Sequence, residues 1–310
     1  IDFRERIRVN GQCISEKAVI DFVEKERNFF EPLHPSFFEL TTALAFKYFA
    51  EQKVDIAVIE VGLGGRLDST NIITPILSII TNISFDHTQF LGNTLSQIAY
   101  EKAGIIKKGI PVIIGEYTKE TRPIFESKAK EKRCPICFAQ DNQEIIYSEA
   151  DKTGGRIYKT KHFGSFHAEL AGDYQVKNMN TLLNAVNVLK AQGIDLSDEI
   201  CALDNVTTLT HLTGRWMEVH RLPKAICDTG HNVGGWQYLV PQIKAQPCKQ
   251  LRIVFGMVDD KDIDTVMGML PKQAIYYWTQ ATTKRAIPAD KVSDKALLYG
   301  LSGHIYKSVK

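Results

Sequence analysis

The sequence predicts an α/β chain in two units that meet near residue 213, and three observations carry this expectation. Short apolar runs of strand length alternate with amphipathic stretches that have helix-start signals. A segment at about 145–171 breaks that rhythm, with more Tyr, Thr, Phe and Gly and a partial period of two. A fresh strand–helix series then begins after Gly214-Arg215.

Taken in order, Ser15-Glu16 opens a helical stretch with Val19, Phe22 and Val23 on one face. Ser36-Phe-Phe-Glu39 has the form of a capping box, and Leu40, Ala43 and Leu44 continue the apolar face behind it. Residues 54–60 form a near-continuous apolar run ending in Glu60 and read as a buried parallel strand. Residues 76–81 and 111–115 read the same way. Between them Thr94-Leu-Ser-Gln97 is another capping-box form, opening a helix to about Ala103. The 145–171 segment reads as a small β-hairpin region. A long helix follows from about Val176 to Gln192, stopped by Gly193, and a short one opens at Asp195-Leu-Ser197. In the second unit, residues 225–228, 251–256 and 274–278 are the expected strands.

The 310 residues are 44% hydrophobic and 24% charged, enough for two cores. A net charge of +2 supplies no basic field for nucleic acid or an anionic membrane, and no apolar run approaches a membrane span. Six cysteines follow no repeating pattern. Cys134-Pro-Ile-Cys137 has no second pair to complete a zinc site, so reduced cysteines in a cytoplasmic protein are expected. No signal peptide is visible. The chain begins with Ile1 inside a charged segment and stops at Lys310 after the strand-like 304–309, which reads as a piece of a longer protein.

The chemistry-bearing residues gather at expected strand ends, where open parallel sheets bind ligands. Glu60 leads into Val61-Gly-Leu-Gly-Gly-Arg-Leu-Asp-Ser-Thr-Asn71, and the next strand leads into Asp86-His87-Thr88. A carboxylate and an Asp-His pair beside a phosphate site suit a hard divalent cation, especially Mg with retained waters. Other readings stand beside this one. Gly62, Gly64 and Gly65 also suit a plain tight turn, and His87 also suits a structural role. The spacing is not G-x-G-x-x-G and no helix is expected there, against a dinucleotide site.

These motifs, with Glu101-Lys-Ala-Gly-Ile105, Asp2-Phe-Arg-Glu-Arg-Ile-Arg-Val-Asn-Gly11, Gly214-Arg215, Asp228-Thr-Gly-His-Asn232 and Phe255-Gly-Met-Val-Asp-Asp-Lys-Asp262, closely resemble folylpolyglutamate synthases and dihydrofolate synthases of the Mur ligase superfamily. The likeness spans essentially the whole chain. It implies a P-loop-NTPase-like central Mur ligase domain over 1–213, truncated at its N-terminus. A smaller Rossmann-like α/β domain over 214–310, truncated at its C-terminus, follows. The implied activity is ATP- and Mg-dependent ligation of L-glutamate to dihydropteroate or tetrahydrofolate through an acyl phosphate.

The resemblance also implies roles. Glu60 and His87 are the Mg ligands, and Lys102 is the lysine carbamylated in the superfamily. Ser36, Phe37, Phe38 and Glu39, with Leu67, Asp68 and Ser69, are pterin-side contacts; Glu39 also fits its capping box. Asn178, Arg215 and Asp228 contact ATP. His231, with Asn232, lines the cleft near glutamate or phosphate, and a polar loop leading into a helix is the other reading of that pair. The implied partners are small molecules only, with no nucleic acid or membrane, and the implied state is a monomer. The family's Gly-rich phosphate loop, expected upstream of Asp2, does not occur in the sequence. The alternatives are a peptidoglycan-type Mur ligase, a non-catalytic nucleotide- or folate-binding protein and, more distantly, a nicotinamide oxidoreductase.

Overall fold

A computed structural model describes residues 2–152, 154–259 and 261–309. Ile1, Thr153, Asp260 and Lys310, which belong to the expectations above, lie outside the described residues. The chain opens on a tight hairpin, β1 (Arg8–Val9) and β2 (Gln12–Cys13). Asn10 and Gly11 make its turn with positive φ, the backbone that an Asn-Gly hairpin requires. Two helices follow, α1 (Glu16–Phe30) and α2 (Phe37–Gln52). The side chain of Ser15 caps α1, and Ser36 with Glu39 forms the expected capping box on α2. Phe22 of α1 and Leu44 of α2 are buried in one cluster with Ile7 and Ile14, which flank the hairpin.

The first parallel sheet has the order β3 (Ser78–Ile80), β4 (Val112–Ile114), β5 (Ile136–Phe138). Its connections carry α3 (Thr88–Leu91), α4 (Leu95–Lys102) and α5 (Arg122–Lys132). The central strand β4 is wholly buried, as its apolar run predicts. The expectation of a buried strand at 54–60 is not met. That segment joins no strand among the described residues, Val58 is 92% exposed and Ile56 is 50% exposed. An apolar run becomes a buried strand only where neighbours pair its backbone and cover both faces, and none here do.

The 145–171 region is an antiparallel meander of β6 (Ile145–Ala150), β7 (Arg156–Thr160) and β8 (Ser165–Ala168). The long helix α6 (Gln175–Ala191) packs its Leu183 and Val186 against that sheet, in one cluster with Tyr158. Asn180 and Asn184 of α6 are buried and satisfied by carbonyls at 139 and 142. The short helix expected at 195–197 is a 3-10 segment over Asp198–Asn205, continued by α7 (Val206–Thr210).

The second series departs from expectation at its start. Residues 225–228 do not begin a parallel sheet. β10 (Lys224–Cys227) pairs antiparallel with β9 (Met217–Arg221), since a two-residue connection permits only a hairpin. The parallel sheet is β11 (Arg252–Phe255), β12 (Ile275–Trp278) and β13 (Gly303–Ile305), in that order. Its helices are α8 (Val233–Lys244), α9 (Ile263–Met269) and α10 (Ala289–Leu298). The buried residues of this core, with Trp236, Phe255, Tyr276 and Trp278 among them, all come from 236–301. Among the described residues, no helix is long and apolar enough to cross a membrane.

Candidate active site

The glycine-rich loop after Glu60 is pressed onto the C-terminal end of α4. A Cβ on Gly65 would stand 3.0 Å from the carbonyl oxygens of Glu101 and Lys102, and one on Gly104 would stand 2.3 Å from the Cα of Arg66. Gly64 adds a positive φ of 69°. Glycine is therefore required here by close backbone approach, beyond the needs of a turn. The Arg66 N–H donates to the Glu101 carbonyl at 2.8 Å, and the Asn71 amide donates to the Gly104 carbonyl at 3.1 Å.

The residues expected at the pterin end meet this loop. Phe38 packs its ring on Gly62, where a Cβ would lie 2.4 Å from the ring. Phe37 and Leu67 are exposed apolar side chains, 68% and 78% accessible. The Asp68 carboxylate organises the loop: it accepts from the Leu63 N–H at 2.8 Å and the Thr70 N–H at 2.9 Å, and so caps the 3-10 turn that begins at Ser69. Ser36 and Glu39 are engaged with each other, with the Ser36 N–H 2.6 Å from Glu39 Oε2. That bond holds the Glu39 carboxyl below its ordinary range.

Lys102 is the last residue of α4 and is half-buried. Its ammonium has no hydrogen bond or ion pair among the described residues. Burial pushes its pKa down, opposed by the charge of Asp86. The Glu60 side chain is exposed and likewise unengaged among the described residues. No group of three or more His, Cys, Asp or Glu able to hold a metal is gathered among them.

Asp86 is the hub between the two series. Its carboxylate takes Lys261 Nζ at 2.6 Å and the Asn232 amide at 3.2 Å, with His231 Nε2 at 3.7 Å and the His87 N–H at 2.8 Å. The Lys261 side chain is only 7% exposed, and its Nζ also stands 3.3 Å from His87 Nε2. Burial pushes the Asp86 carboxyl up, but the donors His231, Lys261 and Asn232 outweigh it and hold it far below the usual carboxylate range. In return, Asp86 raises the pKa of His231.

The 228–232 loop is built around Asp228. Its carboxylate accepts from the Trp216 N–H at 2.7 Å, the Tyr174 hydroxyl at 3.0 Å and the Gly230 N–H at 2.8 Å. Most of its acceptor capacity is thus spent on the scaffold. Arg215 donates to the Thr229 hydroxyl. Asn178 is exposed one turn beyond Tyr174 on α6, its amide on Gln175. Tyr174 therefore ties the helix of Asn178 to Asp228. A cavity of about 410 Å³ lies between the meander and β9–β10, and Arg215, between Gly214 and Trp216, is the one expected site residue in its described lining.

Two groups of expected residues are thus drawn together: the Ser36–Phe38 side with the 62–72 loop and Lys102, and His87 with His231. Sequence reasoning missed Tyr174, and it missed Asp86 as the acceptor for Lys261. Neither has a local signature, since their partners lie 54 and 175 residues away.

Comparison with known proteins identifies the family. The Mur ligase middle domain family matches residues 19–186. Dihydrofolate synthase/folylpolyglutamate synthase of Bacillus subtilis is 35% identical over 282 residues, covering 87% of this chain and 65% of that protein. Folylpolyglutamate synthase of Lacticaseibacillus casei is 30% identical over 310 residues, covering 92% of this chain and 69% of its own length. The structure of E. coli FolC in complex with DHPP and ADP aligns with a TM-score of 0.81 at 27% identity, over 100% of this chain and 71% of that one. The chain spans about two thirds of the length of these curated relatives. It belongs to the folylpolyglutamate and dihydrofolate synthase branch of the Mur ligase family.

Proposed function

We propose that the protein carrying this sequence is an ATP-dependent ligase that joins L-glutamate to dihydropteroate and to tetrahydrofolate glutamates. The observation that carries this reading is the 62–72 loop, which has the family's motif and is packed on the turn that carries Lys102. The substrate carboxylate attacks the γ-phosphate of ATP in line, giving an acyl phosphate and ADP. The glutamate amine then attacks the acyl carbon, phosphate leaves, and an amide remains.

Lys102 is assigned the carbamate. Its neutral amine attacks the carbon of CO2 and releases a proton to solvent. An ordinary lysine is almost wholly protonated at neutral pH, so the burial that lowers its pKa favours this addition. Glu60 and His87 are assigned to Mg. An unengaged carboxylate and an imidazole fit an ion that keeps most of its waters and takes few protein ligands. When bound, the ion supplies positive charge beside the transferring phosphoryl group. Arg215 offers a permanently charged fork to phosphate. Asn178 and Asp228 are assigned to the nucleoside, Asp228 through what acceptor capacity its scaffold bonds leave. His231 is assigned to the cleft where glutamate enters. Ser36, Phe37, Phe38, Glu39, Leu67, Asp68 and Ser69 seat the pterin end.

The proposed division into domains is 1–213 and 214–310. Closure of the second on the first at Asp86 excludes the water that would hydrolyse the acyl phosphate. The protein is proposed to act as a cytoplasmic monomer on small molecules alone. The test is incorporation of labelled glutamate by the full-length protein, with dihydropteroate and tetrahydrofolate offered separately. ATP-dependent incorporation with both is expected. Absence with both overturns the reading, and incorporation with one alone restricts it.

A further inference from the structure

Arg66 has no part in the roles assigned so far, yet its side chain ties the glycine-rich loop to the last turn of α4. Its Nε lies 3.2 and 3.1 Å from the two carboxylate oxygens of Glu101, and its Nη2 lies 3.0 Å from Oε1. The Arg66 N–H meets the Glu101 carbonyl at 2.8 Å, so side chain and backbone grip the same residue. Further tethers run in parallel. Asn71 donates to the carbonyls of Gly104 and Arg66, and Lys107 Nζ donates to the Asn71 carbonyl at 2.6 Å. The backbone of Gly104 lies directly against Arg66, where no side chain fits. Residues 62–72 and 101–107 therefore form one block, with the Leu67, Asp68 and Ser69 segment at one end and Lys102 at the other.

An ion pair with side chains 43% and 20% exposed contributes little to stability on its own. The geometry of this pair gives it a different use. A guanidinium held by two carboxylate oxygens fixes direction as well as distance, which a lysine ammonium does not. Glu101 precedes Lys102 on the last turn of α4, and Arg66 precedes Leu67. The fork thus sets the relative placement of the two residues that follow it.

We propose that Arg66 is a positioning residue of the ligation reaction: its fork on Glu101 couples the seat of the pterin end to the orientation of Lys102. This inference rests on the proposed function. It implies that losing the fork disturbs the pterin end and Lys102 together while leaving the nucleotide contacts of the second series alone. The full-length protein is compared with Arg66→Lys, Arg66→Ala, Glu101→Gln, the double change Arg66→Ala with Glu101→Gln, and the exchanged pair Arg66→Glu with Glu101→Arg. Arg66→Lys keeps the charge and the stem and is the variant safest for folding. Each is measured for kcat, for KM toward dihydropteroate and toward ATP, and for Lys102 carbamate by carbon-13 NMR under labelled CO2.

The expected result is a loss of about tenfold or more in kcat/KM for dihydropteroate in Arg66→Lys and Arg66→Ala, with a weaker carbamate signal and KM for ATP within about twofold of the parent. The double change Arg66→Ala with Glu101→Gln is expected to lose no more than either single change, and the exchanged pair to recover part of the loss. An active parent whose Arg66→Lys and Arg66→Ala variants keep kcat/KM and the carbamate signal overturns the inference. So does a KM for ATP that moves as far as that for dihydropteroate. A parent that incorporates no glutamate overturns the proposed function, and this inference with it.

Discussion

The 62–72 loop and the Asp86 hub both join distant parts of the chain, and they do so by opposite means. The loop meets the end of α4 through backbone against backbone, at distances where a single Cβ has no room. The hub meets the second series through side-chain charge, with Lys261 and Asn232 on one carboxylate and His231 beside it. Contact made by missing atoms cannot slide or open without a void. Contact made by an ion pair separates when solvent or a ligand replaces a partner. The difference teaches where the proposed closure would move: the block has no room to give, whereas the ion-paired joint between the two series can part. The proposed ligase, which must admit substrates and then exclude water, needs both.

The largest effect is expected from adding atoms to the rigid contact. Gly104→Val places side-chain atoms on the backbone of Arg66 and should cost about 3 kcal/mol, read from the urea midpoint. Gly109→Ala is the control. Nothing lies within 4 Å of its Cβ, so only its positive φ of 72° is penalised, by about 1 kcal/mol. Equal costs at the two sites would show that close approach is not what holds the loop.

Lys102→Ala tests what the block is for. Turnover of the full-length protein should fall on the order of a hundredfold with little change in stability, since the ammonium has no partner among the described residues. Short-chain carboxylates should restore part of it, and CO2-depleted buffer should slow the parent but not the variant. Parent-like turnover would remove the carbamate from the mechanism.

Lys261→Met probes the breakable joint. It leaves Asp86 with Asn232 and His231 as its contacts across the joint, at a cost of about 2 kcal/mol. The radius of gyration from X-ray scattering should rise, and added salt should shift the parent in the same direction. An unchanged radius in both would mean that charge is not what closes the joint. Ser36→Ala is the smallest change. It removes one half of the capping box of α2 and should cost about 1 kcal/mol, with KM for dihydropteroate rising only if the pterin end leans on this turn. A loss well above that would mean that Ser36 does more than cap.

The starts of α1, α2 and α4 were legible because a capping bond closes within three residues. Ser15, Ser36 and Thr94 each carry that signal beside an apolar face, and each caps as expected. Strands β3, β4, β11 and β12 were legible as apolar runs of strand length, and the 62–72 motif marked the place of the proposed site. Residues 54–60 carry the same signal as β4 and are not a strand, because pairing and covering come from elsewhere in the chain. The strand expected at 225–228 forms as β10, but its two-residue connection to β9 makes β9 its antiparallel partner and keeps it out of the parallel sheet. Lys102 in sequence is a lysine beside a glutamate. Its lowered pKa comes from burial, opposed by Asp86, which lies 16 residues earlier in sequence. The union of Asp86 with Lys261 spans 175 residues. Local hydrogen bonds and periodicity are written in neighbouring residues, whereas desolvation and ion pairing depend on what the folded chain brings within a few ångströms.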